Sequence, residues 1–337
     1  MEGTAARGLA TAGAARTGIA HGPSVCDPID AWAMVDAMAT QREEPSFAAG
    51  EVLSPAVGAA TVAELAVGRT AIGVDHSGNV WFAGAHDLIR LEGSGLTSFR
   101  FGDGIVFSGI AAGPPGVVYF ATSSGLVRFS SGAFTLLRPQ HLGSAIRHLA
   151  TSSAGDAVFS TGVDEVGLIG RFDGRDLRLL SPAADFPPDL EITALGFDSA
   201  GELVIGAADG VAVRPAGTWT VLRGTDAIDE IAAVAGAVWL ASTAGVYEVR
   251  GGTLVLHRTE RPVVCLCIDD DELWFGMRAG GLGRLREGDG AVFQPGGTLL
   301  AHEDVTDLVR GTDGRIWVLA SGGIAFIREG EIERLPA

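Results

Sequence analysis

The chain has 337 residues, 49 of them glycine, with 47% hydrophobic and 19% charged residues, and no apolar run of the roughly 18 residues that a membrane span needs. Acidic residues outnumber basic ones 41 to 24, a net charge of −17. That field repels phosphate backbones, so nucleic acid is not expected as a partner. Every basic residue is arginine, which reads as the codon bias of a GC-rich bacterial genome, although arginine-only surfaces also suit bidentate carboxylate contacts. The three cysteines, Cys26, Cys265 and Cys267, are odd in number and lack framework spacing, which argues against a disulfide-stapled domain.

Residues 1–69 stand outside any repeat and are read as an N-terminal extension, disordered in part. The opening MEGTAARGLATAGAARTGIA carries Arg7 and Arg16 but no continuous apolar core, so no signal or transit peptide is expected and the cytoplasm is the default location. DPIDAWAMVDAMATQ (27–41) predicts one short helix near 28–40, with Asp27 as N-cap and Pro28 in the first turn. Ile29, Trp32, Val35 and Met38 share a face of it. That face either packs on the rest of the protein or docks into a partner as an amphipathic anchor. GEVLSPAVGAATVAEL (50–65) could supply one more strand to close the architecture described next.

From residue 70 onward one pattern recurs seven times: GNVWFAG, GVVYFAT, GDAVFST, GELVIGA, GAVWLAS, DELWFGM and GRIWVLA. The fourth residues are Trp81, Tyr119, Val158, Val204, Trp239, Trp274 and Trp317, with gaps of 38, 39, 46, 35, 35 and 43 residues. An apolar run precedes each core. A small-residue turn and a second alternating run follow it (SSGLVRFSS, AGVYEVRGG, GGIAFIREG), then a third short run (FTLLR, TLVLHR, EIERL). Four strands in about 40 residues cannot bury both faces of a sheet alone, but stacked radially each sheet covers the next. The expected fold is therefore all-β: a seven-bladed β-propeller of four-stranded blades over 70–337. The four repeat tryptophans are read as packing between blades.

The repeat resembles the two-component regulator propeller repeat, which reads Asp-x-x-Gly-x-Leu-Trp-hydrophobic-Gly-Thr-x-x-Gly-Leu. TDGRIWVLASGGIAFI shows it best, with DHSGNVWFAG, AGELVIGAADGVAV and DDDELWFGMRAGGLGRL as close variants. Units three and four lack the aromatic, and the Gly-His and Trp-Asp dipeptides of another propeller class are absent. The resemblance implies ligand sensing. In that family the propellers sit outside the cell beside a membrane span and a kinase, and this sequence shows neither.

A more distant resemblance is to streptogramin lyase, which implies a histidine base and a Mg²⁺ site on the tunnel face. Here the histidines, His21, His76, His86, His141, His148, His257 and His302, hold no common position in the repeat, and the lyase signature does not line up. No catalytic residue, cofactor site or metal site is assigned. The Asp-rich turns DHSGN, FDSAGE and IDDDEL offer two or three oxygens each, against the six to eight that calcium wants, and are read as turn chemistry. Cys265 and Cys267 in VVCLCI fall on one face of a strand as small buried hydrophobes.

Binding surfaces on propellers gather where the second-to-third-strand turns and the inter-blade loops meet. Those loops here carry His86, Arg147, His148, Glu165, Asp209, Arg278 and Asp304, and the longest are RPQHLGSAIRH (138–148), SPAADFPPDLE (181–191) and GTLLAHEDVTD (297–307). The resulting expectation is a non-catalytic interaction propeller that binds another protein, as a subunit of a bacterial signalling or defence assembly. Small-ligand sensing is the alternative and lyase-type chemistry the second alternative.

Overall fold

The computed structural model describes residues 50–335 except 66–67, 139–144, 164–165, 181–184, 189, 235, 271, 287–299, 301–302 and 329. The helix expected near 28–40, with Ile29, Trp32, Val35 and Met38, lies outside the described residues.

Seven antiparallel sheets stand side by side, each a run of consecutive strands ordered from inside to outside. The innermost strands are Arg69–Val74, Phe107–Ala112, Ile146–Thr151, Ile192–Phe197, Ile228–Val234, Val263–Asp269 and Val305–Arg310, numbered here as blades 1 to 7. This is the seven-bladed propeller that the repeat predicts. Blade 6 has three strands among the described residues.

The turn into each second strand explains the repeat's leading glycine. Gly78, Gly116, Gly155, Gly201, Gly236 and Gly314 all hold φ between 78° and 87°, a left-handed conformation that glycine takes without steric cost. Aspartates complete these turns. Asp75 Oδ1 accepts the N–H groups of Ser77 and Asn79, and Asp198 Oδ1 those of Ala200 and Glu202. Their oxygens are engaged by backbone, as Asx turns require.

Seven apolar clusters fill the seven seams between blades, one each. The second-strand residue that leads into each seam is the repeat's fourth position. Trp81, Tyr119, Val158, Val204, Trp239, Trp274 and Trp317 all pair with the same point of their inner strand: Gly73, Ala111, Ala150, Gly196, Ala232, Cys267 and Val309. Small partners there leave room for a ring. The four tryptophans are thus equivalent in register, but not in burial: Trp81, Trp274 and Trp317 are buried and Trp239 is half-buried.

The ring closes without exchanging strands between the chain's two ends. Glu331–Arg334 is the fourth strand of blade 7, and blade 1 is built from its own four strands. Residues 51–59 take a different place. Glu51–Leu53 pairs with the outer strand of blade 2 and Ala56–Ala59 with that of blade 1, so both sheets gain a fifth strand over their outer edges. A single helical turn, Val62–Leu65, then leads back to blade 1. Thr61 and Glu64 cap it reciprocally: Glu64 Oε2 accepts the Thr61 N–H at 2.8 Å, and Thr61 Oγ1 accepts the Glu64 N–H at 3.3 Å. Leu65 is buried in the seam between blades 7 and 1.

A second glycine position is steric rather than conformational alone. Gly245 opens the third strand of blade 5 with φ 137°, and a Cβ there would lie 2.3 Å from the His257 carbonyl oxygen. Gly245→Ala is expected to cost about 2–3 kcal/mol by backbone strain plus collision. Gly252→Ala, at φ 80° with open space around it, should cost about 1 kcal/mol. Denaturant melts of the two variants check the order.

Candidate functional site

Antiparallel inner strands would carry backbone edges alone to the axis if they were regular. Here each of the seven has a register shift at the same place, between its first and third residues. Such a bulge re-aims side chains locally. The bulged second residues are Thr70, Ser108, Arg147, Thr193, Asp229, Val264 and Thr306, and the third are Ala71, Gly109, His148, Ala194, Glu230, Cys265 and Asp307. Most of both sets line a central cavity of about 590 Å³.

In blades 1 and 2 the second residue's hydroxyl ties the blade to the next one. Thr70 Oγ1 donates toward the carbonyl of Phe107 in blade 2 at 3.2 Å, and Ser108 Oγ toward that of Ile146 in blade 3 at 3.5 Å. Blades 3 and 5 place ionisable groups there instead. Arg147, His148, Asp229, Glu230 and Asp307 all line the cavity, so its wall carries both signs of charge.

Glu230 and Asp307 are the deepest of these groups. Glu230 Oε2 accepts the N–H of Leu266 in blade 6 at 2.8 Å. Asp307 Oδ2 accepts the N–H of Ile72 in blade 1, also at 2.8 Å, across the seam where the ring closes, and its Oδ1 accepts the Leu308 N–H. Protein encloses both carboxyl groups, and their remaining exposure is to the cavity. Burial raises the pKa of Glu230 well above the ordinary carboxylate range, with the nearby Asp307 adding to it. Burial likewise pushes Asp307 up to about 7, against the pull of its two N–H donors. Asp307 therefore exchanges its proton near neutral pH, Glu230 holds its proton above the ordinary carboxylate range, and both accept hydrogen bonds in either state.

At the same strand position in blade 3, burial lowers the pKa of His148 and Arg147 lowers it further, which keeps the imidazole neutral at pH 7. Burial raises Asp229, and Arg278 opposes the shift. Arg278 sits on the second-to-third-strand turn of blade 6, its N–H donating to the Pro262 carbonyl at 3.0 Å. None of the Arg147, His148, Asp229 and Arg278 side chains makes a hydrogen bond or ion pair with another described residue.

The remaining loop-face residues singled out from sequence are engaged locally. His86 Nδ1 lies 3.0 Å from the Ile105 carbonyl oxygen, and the His86 carbonyl accepts the Phe101 N–H. Asp209 pairs with Arg223. Asp304 Oδ1 accepts the Ala279 N–H at 2.7 Å, linking blades 6 and 7. Glu165 lies outside the described residues. Sequence reasoning missed Asp229, Glu230 and Asp307. The signal was present in IDEIAAV and VTDLVR, where carboxylates interrupt an apolar strand next to the axis.

Cys265 and Cys267 are buried and reduced, and burial pushes the Cys267 thiol up to about 12, out of the range of an active nucleophile. Among the described residues no three His, Cys, Asp or Glu groups converge as a metal site would require, and no helix is long and apolar enough to cross a membrane.

No protein-family model and no curated protein matches the chain. Solved structures do. A streptogramin B lyase superimposes with a TM-score of 0.63 at 14% identity, over 86% of this chain and 98% of the lyase. The extracellular domain of a hybrid two-component system from B. thetaiotaomicron gives 0.63 at 12% identity, over 83% of this chain and 40% of the other. YCF48 bound to D1 peptide gives 0.60 at 14% identity, over 82% and 96%. At these identities the likeness is one of fold, and it joins the repeat, the sheet order and the seven seams in a single conclusion: the chain is a seven-bladed β-propeller similar to streptogramin lyases and to the extracellular domains of two-component regulators.

Proposed function

We propose that this protein is a non-catalytic interaction propeller, a subunit of a multiprotein assembly, and that it takes a segment of its protein partner at the tunnel mouth. One observation carries the reading. Arg147, His148 and Asp229 line the cavity and Arg278 stands on a turn near enough to Asp229 to oppose its shift, none of them bonded to another described residue, while His86, Asp209 and Asp304 on the same face are engaged in holding loops. Unsatisfied charges of both signs around a rigid opening provide orientation and selectivity for a partner. A peptide-bound propeller among the similar structures, YCF48 with D1 peptide, supports the reading by analogy of fold alone.

Reversing two of the charges tests it. Arg147→Glu with Arg278→Glu should leave a denaturant melt within about 0.5 kcal/mol of wild type, because both side chains are exposed. The same protein should recover its partner from the native host at least about tenfold less efficiently. Arg175→Glu, in an exposed turn at the opposite end of blade 3, is the control and should recover it normally. Equal recovery by all three proteins would remove the mouth from the reading.

A second reading, lyase-type chemistry, has one observation in its favour: a histidine and two carboxyls whose pKa values burial raises share the tunnel cavity. One of the similar structures is a catalytically inactive histidine-to-alanine virginiamycin B lyase with quinupristin. Incubating this protein with quinupristin and following the compound by liquid chromatography and fragment-ion mass spectrometry, which tells a linear isomer from the cyclic one, separates the two readings.

A further inference from the structure

The sevenfold repeat supplies its own controls for the two tunnel carboxyls. At the third position of the inner strand, blades 1, 2 and 4 place Ala71, Gly109 and Ala194, blade 3 places His148 and blade 6 places Cys265. Only blades 5 and 7 place a carboxyl, and each caps one N–H of the following blade, at Leu266 and Ile72. The equivalent N–H groups of Ile110, Leu149, Leu195 and Ile231 receive no side-chain acceptor among the described residues, and those seams form all the same. Glu230 and Asp307 are therefore not required by the fold. They carry an electrostatic penalty as well, since two enclosed acids repel one another when both ionise.

What remains open on them faces the lumen. Glu230 Oε1 has no hydrogen-bond partner among the described residues, and the Glu230 carboxyl is enclosed except toward the cavity. Each Asp307 oxygen already accepts one N–H and keeps one lone pair. His148, mostly enclosed on the wall of the same cavity, has an imidazole with no partner. A calcium ion would need six to eight oxygens, and no three ligand groups converge here among the described residues. A protonated amine needs less: three donors, a single positive charge and two or three acceptors.

We propose that the tunnel holds a protonated amine at Glu230 and Asp307, carried on the segment that enters through the mouth. The inference rests on the mouth reading for the route of entry. The charge ledger favours it, because one cation lets both acids ionise without the penalty that otherwise keeps them protonated. Binding must therefore release protons. The groups facing the pair are Arg147 and His148 from blade 3, Asp229 from blade 5 and Cys265 from blade 6. Blades 1, 2 and 4 present only Thr70, Ala71, Ser108, Gly109, Thr193 and Ala194 at this level, none of them titratable.

The test is calorimetry on the full chain with four probes: trialanine amide with a free amino terminus, its N-acetylated form, acetyl-lysine amide, and calcium chloride. At least one amine should bind and the acetylated trialanine should not. The heat should vary with the buffer's ionisation enthalpy, and affinity should rise as pH rises through 7. The Glu230→Gln/Asp307→Asn protein, folded by melt, should bind the same amine at least about tenfold more weakly. Which amine binds shows whether a chain terminus or a lysine side chain is taken, and either supports the proposal. Binding of the acetylated peptide, full binding by the double variant, binding of calcium in preference to the amines, or binding of no probe would overturn it. The two readings fail separately. Partner capture that survives the carboxyl changes overturns this inference alone, and amine binding with partner capture indifferent to Arg147→Glu/Arg278→Glu overturns the mouth alone.

Discussion

Trp81→Ala is expected to destabilise the propeller by about 4–5 kcal/mol, more than any other tryptophan substitution in the repeat. Trp81 is fully buried in the seam between blades 1 and 2, within 4.9 to 6.4 Å of the rings of Phe129, Phe120, Phe99 and Phe134. Its Nε1 donates to Asp75 Oδ2 at 3.0 Å, so truncation also removes one of the bonds that hold the turn aspartate, which keeps those from Ser77 and Asn79. The Arg90 guanidinium lies 5.6 Å from the ring centroid, a further contact that alanine cannot replace. Trp317 has fewer aromatic neighbours, Phe82 and Phe326, and an Nε1 with no partner among the described residues. Its truncation should cost about 3–4 kcal/mol. Trp239 is half-buried against His257 and should cost about 2 kcal/mol or less. Denaturant melts with an unchanged m-value measure the series. A Trp81→Ala loss below about 1 kcal/mol, or Trp239 as the most sensitive site, would show that the seams do not hold the ring as described.

The second large effect is a stability that falls as pH rises toward neutrality. Folding raises Asp307 from 3.8 to about 7 and lifts Glu230 above its ordinary 4.5. Between the unfolded and folded values the native state holds more protons than the unfolded chain, so stability declines with rising pH across that window. Above it the loss is complete. Glu230→Gln with Asp307→Asn removes the ionising groups while keeping an oxygen to accept the Leu266 and Ile72 N–H groups. At pH 8 the double variant should be more stable than wild type by roughly 2 kcal/mol, and near pH 4 the two should converge. His148 works in the opposite direction, since its pKa is lowered by folding, but it is common to both proteins and cancels in the difference. A variant less stable than wild type by the same amount at both pH values would assign the carboxyls a purely structural role.

The fold was legible because its determinants are local and repeated. A short apolar strand with its fourth residue in one register recurs every 35 to 46 residues, and in six of the seven copies a left-handed glycine leads it. Even Val158 and Val204, which break the aromatic pattern, keep the register of the tryptophans. The place of residues 51–59 was not legible. EVL and AVGA are too short to declare which edge they join, and that choice is made by the outer strands of blades 2 and 1.

The site divides in the same way. Arg278 could be found from its turn, whose position the repeat sets, whereas Arg147 and His148, read from sequence as loop residues of 138–148, belong to the inner strand Ile146–Thr151. His86, Asp209 and Asp304 also stand on loops, but their bonds to Ile105, Arg223 and Ala279 depend on neighbouring segments that sequence spacing does not bring together. Glu230 and Asp307 were obscured by the bulge, which shifts the register after the first residue of the inner strand and breaks the alternation used to assign faces.

The most direct measurement of the tunnel mouth as the recognition surface is amide hydrogen exchange on the full chain, alone and with its captured partner. The account predicts slowed exchange in the partner's presence at 145–149, 226–231 and 278–280, the segments that carry Arg147, His148, Asp229 and Arg278. Protection confined to the outer strands at 51–59, or to the turns at the opposite end of the ring, with the mouth segments unchanged, would contradict it.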